Sequence, residues 1–147
     1  MYFSLCDVLY LKEIYDTGKK ERRKMKIVIP GNPIPLARPR FGKNGVYDSQ
    51  EELKEGTYWE MRSLIGNRSF EITGPVELHI VFYMPFPGNN KHLYHTKKPD
   101  LSNMIKFYED VATGLLYKDD KQIIKIVAEK KYDISPRTEI TIIEVNQ

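Results

Sequence analysis

Asp100, Ser102, Asn103 and Lys106 lie in one short run, Asp110 follows a turn later, and Asp119-Asp120 come after a brief loop. Carboxylates, an amide and a lysine at this spacing can hold a divalent cation beside a phosphate. Magnesium takes hard oxygen ligands, often only one or two carboxylates, with waters and substrate phosphate filling the octahedron. The ion polarises the phosphoryl oxygen, lowers the pKa of an attacking water and neutralises charge on the leaving oxygen. A lysine nearby stabilises the crowded transition state without competing for the metal. The expected chemistry is metal-assisted cutting of DNA, with Mg2+ as cofactor and Mn2+ as its substitute.

Those residues need a helix to align them. At ~100° per residue, Leu101, Met104, Ile105, Tyr108, Val111 and Ala112 of the 100–113 segment share an apolar half, with Phe107 at its border. Asn103, Lys106 and Asp110 form a narrow polar stripe, and Asp100 adjoins it at a helix N-terminus that favours anions. Ser102 and Glu109 fall further round the polar side. Asp119-Asp120 would add a ligand at the start of the next strand, since adjacent carboxylates repel unless a cation neutralises them. The bland alternatives are a helix N-cap for Asp100 and a polar turn for Asp119-Asp120.

The rest of the chain supplies the frame. Leu5, Val8, Leu9 and Lys12 have helical spacing, broken by Thr17-Gly18 and a charged run. Residues 1–24 are therefore expected to be an N-terminal extension, with the domain spanning 25–147 and opening on the β-rich Met25–Pro30. Turn formers fill 31–48, and Asn44-Gly45 can close a hairpin between Arg40-Phe41 and Val46-Tyr47. Ser49 with Glu52 forms a capping-box pattern ahead of a helix to Ile65, stopped by Gly66-Asn67. Val76, Leu78, Ile80 and Phe82 alternate with Glu77, His79, Val81 and Tyr83 in a strand over 75–84. Gly114 ends the acidic helix, and strands over 122–132 and 138–145 close the chain. The order β-α-β-α-β-β predicts an α/β (α+β) single domain, a mixed sheet with two helices packed against it.

Composition narrows the classes. The chain has 147 residues, 41% of them hydrophobic and 12% aromatic, enough for one modest core. A single cysteine, Cys6, excludes an internal disulfide framework and a thiolate-rich zinc site. His92 and His95 sit three apart without a second pair of soft ligands, so solvated loop histidines are expected. No apolar run reaches the ~20 residues of a membrane span, and early charges interrupt any export signal. A cytoplasmic protein without membrane association is expected. With no Walker loop and no dinucleotide turn, no nucleotide cofactor is expected. Net charge is only +3, but the cations are clustered: Lys19 to Lys26, then Arg38, Arg40 and Lys43, then Lys91, Lys97 and Lys98. Basic loops around an acidic pocket suit a phosphodiester ligand.

The run Pro99-Asp100-Leu101-Ser102-Asn103-Met104-Ile105-Lys106, then Asp110 and Tyr117-Lys118-Asp119-Asp120, resembles the RusA family of Holliday junction resolvases. Ile29-Pro30-Gly31-Asn32-Pro33, Arg38-Pro39-Arg40 and Val46-Tyr47 are similar to that family's opening strand and basic loop. The resemblance covers about residues 26–145. It implies that Asp100, Asp120 and the motif lysine Lys106 are catalytic, that Asp100, Asp120, its neighbour Asp119 and Ser102 make the metal site, and that Asn103 is the motif asparagine. Asp110 is expected in support. Ser102 stands where the family often has another aspartate, which removes one negative charge from the metal site. The resemblance further implies a homodimer acting on four-way DNA in recombination and repair, in a bacterial host and of phage or prophage origin. Arg38, Arg40, Lys43, Lys97, Lys98, Lys118 and Lys121 would touch DNA. The alternative is a non-catalytic branched-DNA-binding protein, on account of Ser102.

Overall fold

The computed structural model describes residues 22–67, 71–89 and 91–147. The helical spacing at Leu5 to Lys12 lies outside them. The described chain runs β1 (Lys24–Pro30), β2 (Arg40–Gly42), β3 (Gly45–Tyr47), α1 (Glu51–Ile65), β4 (Val76–Pro85), α2 (Leu101–Ala112), a 3-10 turn (Asp120–Gln122), β5 (Ile123–Asp133) and β6 (Arg137–Glu144). Strands β1, β6, β4 and β5 form one sheet in that order. β5 lies parallel to β4, while β6 is antiparallel to both β1 and β4. This is the expected mixed α+β arrangement.

Alternation decides which face of the sheet is covered. Met25, Ile27 and Ile29 of β1, Val76, Leu78, Ile80, Phe82 and Met84 of β4, and Ile140 and Ile142 of β6 are all buried. They meet Met61 and Ile65 of α1 and Met104, Phe107, Tyr108 and Val111 of α2. Each such side chain contributes roughly 1.5–3 kcal/mol through apolar burial. Phe107 is fully buried rather than bordering the apolar half, because its ring packs edge-on against Tyr108, centroids 5.2 Å apart. The Tyr108 hydroxyl accepts from the Ile34 amide and from Thr138 Oγ1, so the one polar atom on that ring is satisfied.

Three local features position the site. First, α1 does not use the Ser49 capping box. Gln50 is the N-cap and makes no side-chain cap bond; its Oε1 accepts from Ala37 N at 2.6 Å and its Nε2 donates to Pro35 O at 3.0 Å. The start of α1 is thereby tied to the 31–39 loop instead of to itself. Second, β2 and β3 form the expected hairpin, detached from the main sheet. Its turn takes Gly45 at φ +116°, a conformation that favours glycine. Third, the loop after β4 folds back along β5, where His95 N donates to Lys130 O and Tyr132 N to Leu93 O. His95 is thus not a solvated loop histidine. Its ring lies 4.8 Å from that of Tyr132, and burial with the nearby Lys130 charge lowers its pKa.

Candidate active site

The chain enters α2 through Lys97-Lys98-Pro99. Lys130 of β5 donates from Nζ to the carbonyls of Lys97 at 2.7 Å and Pro99 at 2.6 Å. Two carbonyls gripped by one ammonium fix the approach to Asp100. Burial lowers the pKa of Lys130, and the nearby negative charge of Asp100 opposes that shift.

Asp100 is the N-cap of α2, yet its side chain makes no capping hydrogen bond. Its backbone carbonyl accepts from Asn103 N and Met104 N, so the first turn closes through the main chain. The exposed carboxylate is not engaged in capping, at a helix end where N–H dipoles converge. Asp119 is the opposite case. Its Oδ1 accepts from Lys121 N at 3.0 Å, its Oδ2 meets Lys121 Nζ at 3.1 Å, and its own amide donates to Gln122 Oε1. These contacts hold its pKa below the usual range. The polar-turn alternative therefore describes Asp119 well and leaves Asp120 as the exposed carboxylate of the pair.

Asp120 acts on a residue the helical wheel left aside. Burial first, then Asp120 and Asp110, raise the pKa of Glu109, while Lys106 opposes the rise. Negative charge therefore accumulates around Glu109 and Asp120, on the half of α2 away from Asp100. About 13 Å of helix rise separates Asp100 from Glu109. Lys106 lies between them along the helix. Asp110 is held by Lys54 of α1 at 3.0 Å, and the same ammonium reaches Asp48 at 2.7 Å. The Asn103 carbonyl accepts from Leu36 N at 2.9 Å, docking the basic loop on the first turn of α2.

The expected DNA contacts Arg38, Arg40, Lys43, Lys97, Lys98, Lys118 and Lys121 are all exposed, as are Ser102 and Lys106. They fall in the 31–48 segment, in the entry to α2 and around the 3-10 turn, three places that border the acidic helix. Among the described residues no three His, Cys, Asp or Glu side chains gather as a ready-made metal cage. The oxygen donors present suit a hard cation that keeps its own waters and takes substrate oxygens. Glu109 had one sequence signal, its place one turn after Lys106. Its link to Asp120 depends on how the loop after α2 returns, which spacing does not reveal.

Comparison with known proteins gives the same direction. The sequence profile described as Endodeoxyribonuclease RusA matches residues 30–143, well over half of the chain. An uncharacterized protein, YqaN, of Bacillus subtilis (strain 168) is 30% identical over 138 residues, covering 83% of this chain and 97% of that protein. A protein of Lactococcus phage r1t named crossover junction endodeoxyribonuclease rusA is 36% identical over 78 residues, 52% of this chain and 60% of the phage protein. No helix among the described residues is long and apolar enough to cross a membrane. The matched region starts at the last residue of β1 and contains the basic loop, α2 and the second acidic pair, so the chain belongs to the RusA family of endodeoxyribonucleases.

Proposed function

We propose that this chain is a magnesium-dependent, structure-specific endodeoxyribonuclease that resolves four-way DNA junctions by paired nicking in recombination and repair. The observation that carries the reading is Asp100, a carboxylate at the start of α2 that takes no part in capping the helix. Family membership and the phage relative's printed name support the choice of substrate. Asp120 with Glu109 towards one end of α2, and Asp100 with the Ser102 hydroxyl in place of a carboxylate at the other, would offer oxygens to hydrated ions that also take substrate oxygens. Asp119 would contribute mainly by fixing the turn that presents Asp120. When bound, magnesium supplies Lewis acidity to the phosphoryl oxygen and a more acidic water. Lys106 balances the charge that builds on the phosphate during displacement. Asn103 orients the substrate, and Asp110 steadies the helix through Lys54. The basic side chains hold the flanking phosphates, so affinity falls steeply with salt.

Two symmetry-related cuts call for a homodimer, joined through one self-complementary surface. Among the described residues, the loop after β4 covers the later part of β5 and leaves its first half open. There Ile124 is 60% exposed, beside Ile126 and Val127. An apolar, unpaired edge strand is a ready template for pairing with a second copy. The cytoplasm of a bacterial host, during phage or prophage DNA processing, is the setting such a substrate implies.

Ser102 favours a second reading, a branched-DNA-binding protein that does not cut, because one expected metal charge is missing. Incubating the purified chain with a labelled four-way junction and Mg2+ or Mn2+ separates the two. Paired symmetric nicks, abolished by EDTA, support the nuclease. Tight junction binding without nicks under either ion supports the binder, and no preference for junction over linear duplex contradicts both.

A further inference from the structure

The β2–β3 hairpin carries an unexplained side chain at an informative place. Phe41 is 88% exposed, and its cross-strand partner Val46 is 62% exposed. A ribbon of two three-residue strands has no core to bury them in, and leaving a phenylalanine in water is unfavourable. The opposite face is different. There Arg40 faces Tyr47, and the Tyr47 ring lies so close to Gly42 that an added Cβ would meet it at 3.3 Å. Tyr47 is thus folded onto its own ribbon, while Phe41 is left projecting.

Charge indicates what Phe41 projects toward. Arg38, Arg40 and Lys43 flank it along the chain, and the stretch from Ala37 to Tyr47 contains no carboxylate. A flat apolar ring among unbalanced cations matches a polyanion whose own units offer flat apolar faces, namely the bases of a nucleic acid. It matches a neutral or basic protein surface poorly.

Both feet of the hairpin stand on α2. On the incoming side, Leu36 N donates to the Asn103 carbonyl, and Gln50 grips Ala37 and Pro35. On the outgoing side, Asp48 is tied through Lys54 to Asp110. The ribbon is therefore fixed to the same helix that presents Asp100 and Lys106, at positions seven residues apart. A base held by Phe41 would be held at a set offset from the acidic stripe.

We propose that the β2–β3 hairpin is a stacking arm, in which Phe41 packs against a base left without its neighbour where DNA strands branch, while Arg38, Arg40 and Lys43 hold the adjoining phosphates. This deepens the junction reading and rests on it. An intact duplex offers no free base face, so the arm would favour branched over linear DNA.

The test uses the full chain in EDTA, where cutting is absent, with Phe41→Ala and Phe41→Trp. The probes are a four-way junction with 2-aminopurine at the branch point and a linear duplex of the same sequence. Phe41→Ala is expected to weaken junction binding by roughly ten- to a hundred-fold and duplex binding by less than about twofold, because stacking acts only on the free base. Phe41→Trp should restore junction affinity and quench the 2-aminopurine. Equal loss on both DNAs, or no loss on either, overturns the arm while leaving the junction reading standing. So does a change in the mass of Phe41→Ala in solution, which would make the ring a contact between copies. A wild-type chain that binds junction and duplex alike removes the junction reading, and this arm with it.

Discussion

Lys130 and Asp100 divide one task between them. The ammonium grips the carbonyls of Lys97 and Pro99, and the carboxylate beyond stays clear of the capping bonds that would tie it down. A lysine in such a place acts by position, since its charged end is committed to backbone rather than to substrate. Replacing it with methionine keeps most of the side-chain volume and removes both hydrogen bonds. Lys130→Met is expected to lower the turnover of junction cleavage by roughly ten- to a hundred-fold, the scale set by a displacement of about 1 Å at a reacting group. Junction affinity measured without metal should change little. Single-turnover cleavage alongside metal-free binding checks the split. The contrast between Asp119 and Asp120 has the same physical origin. Both are acidic and adjacent, but the 3-10 turn consumes the hydrogen-bonding capacity of Asp119 and leaves Asp120 to act on Glu109.

At the scale of elements, the legible parts were those governed by short-range periodicity. The alternation of Val76 to Tyr83 and the apolar face of α2 both correspond to buried surfaces, because a strand or helix sets side-chain direction by itself. Features governed by distant partners were not legible. The Ser49 capping box is absent because Gln50 reaches the 31–39 loop, and His95 is packed because its loop runs along β5 against Tyr132. The face of the sheet turned away from the helices offers a measurable consequence. Glu139 of β6 lies 2.6 Å from Lys26 of β1 and 2.9 Å from Arg137. Burial pushes its carboxyl up, but hydrogen bonds from Lys26 and Arg137 outweigh burial and hold its pKa below the ordinary 4.5. A depressed carboxylate contributes stability that is present above its unfolded pKa and lost as pH falls through the lower, folded value. Glu139→Gln should therefore cost about 1 kcal/mol at pH 7. In urea unfolding across a pH series, the difference from wild type should shrink as pH falls below the ordinary glutamate value.

For the whole molecule, the frame and the site were readable to different depths. Strand order, with β5 joining parallel to β4 after α2, follows from a strand–helix–strand crossover and places the second acidic pair at the turn that leads from α2 into β5. The composition of the site was only partly readable. Asp100 and Lys106 are marked by helical spacing, whereas Glu109 joins the acidic group only through the return of the chain after α2, which brings the charge of Asp120 to bear on it. Phe41 belongs to no periodic pattern at all, and its exposure emerges only once the hairpin is seen to stand apart from the sheet. The parts share one consequence: acidic side chains along α2 and at the following turn hold a cation against a DNA backbone gripped by the surrounding cations. Junction cleavage in Mg2+ by Asp100→Asn and Asp120→Asn, each compared with wild type, tests this most directly. Each substitution keeps the shape and removes one charge, so cleavage should fall at least about a hundred-fold, on the scale of losing a principal electrostatic catalyst, with junction binding retained in EDTA. Wild-type cleavage in either variant would contradict it.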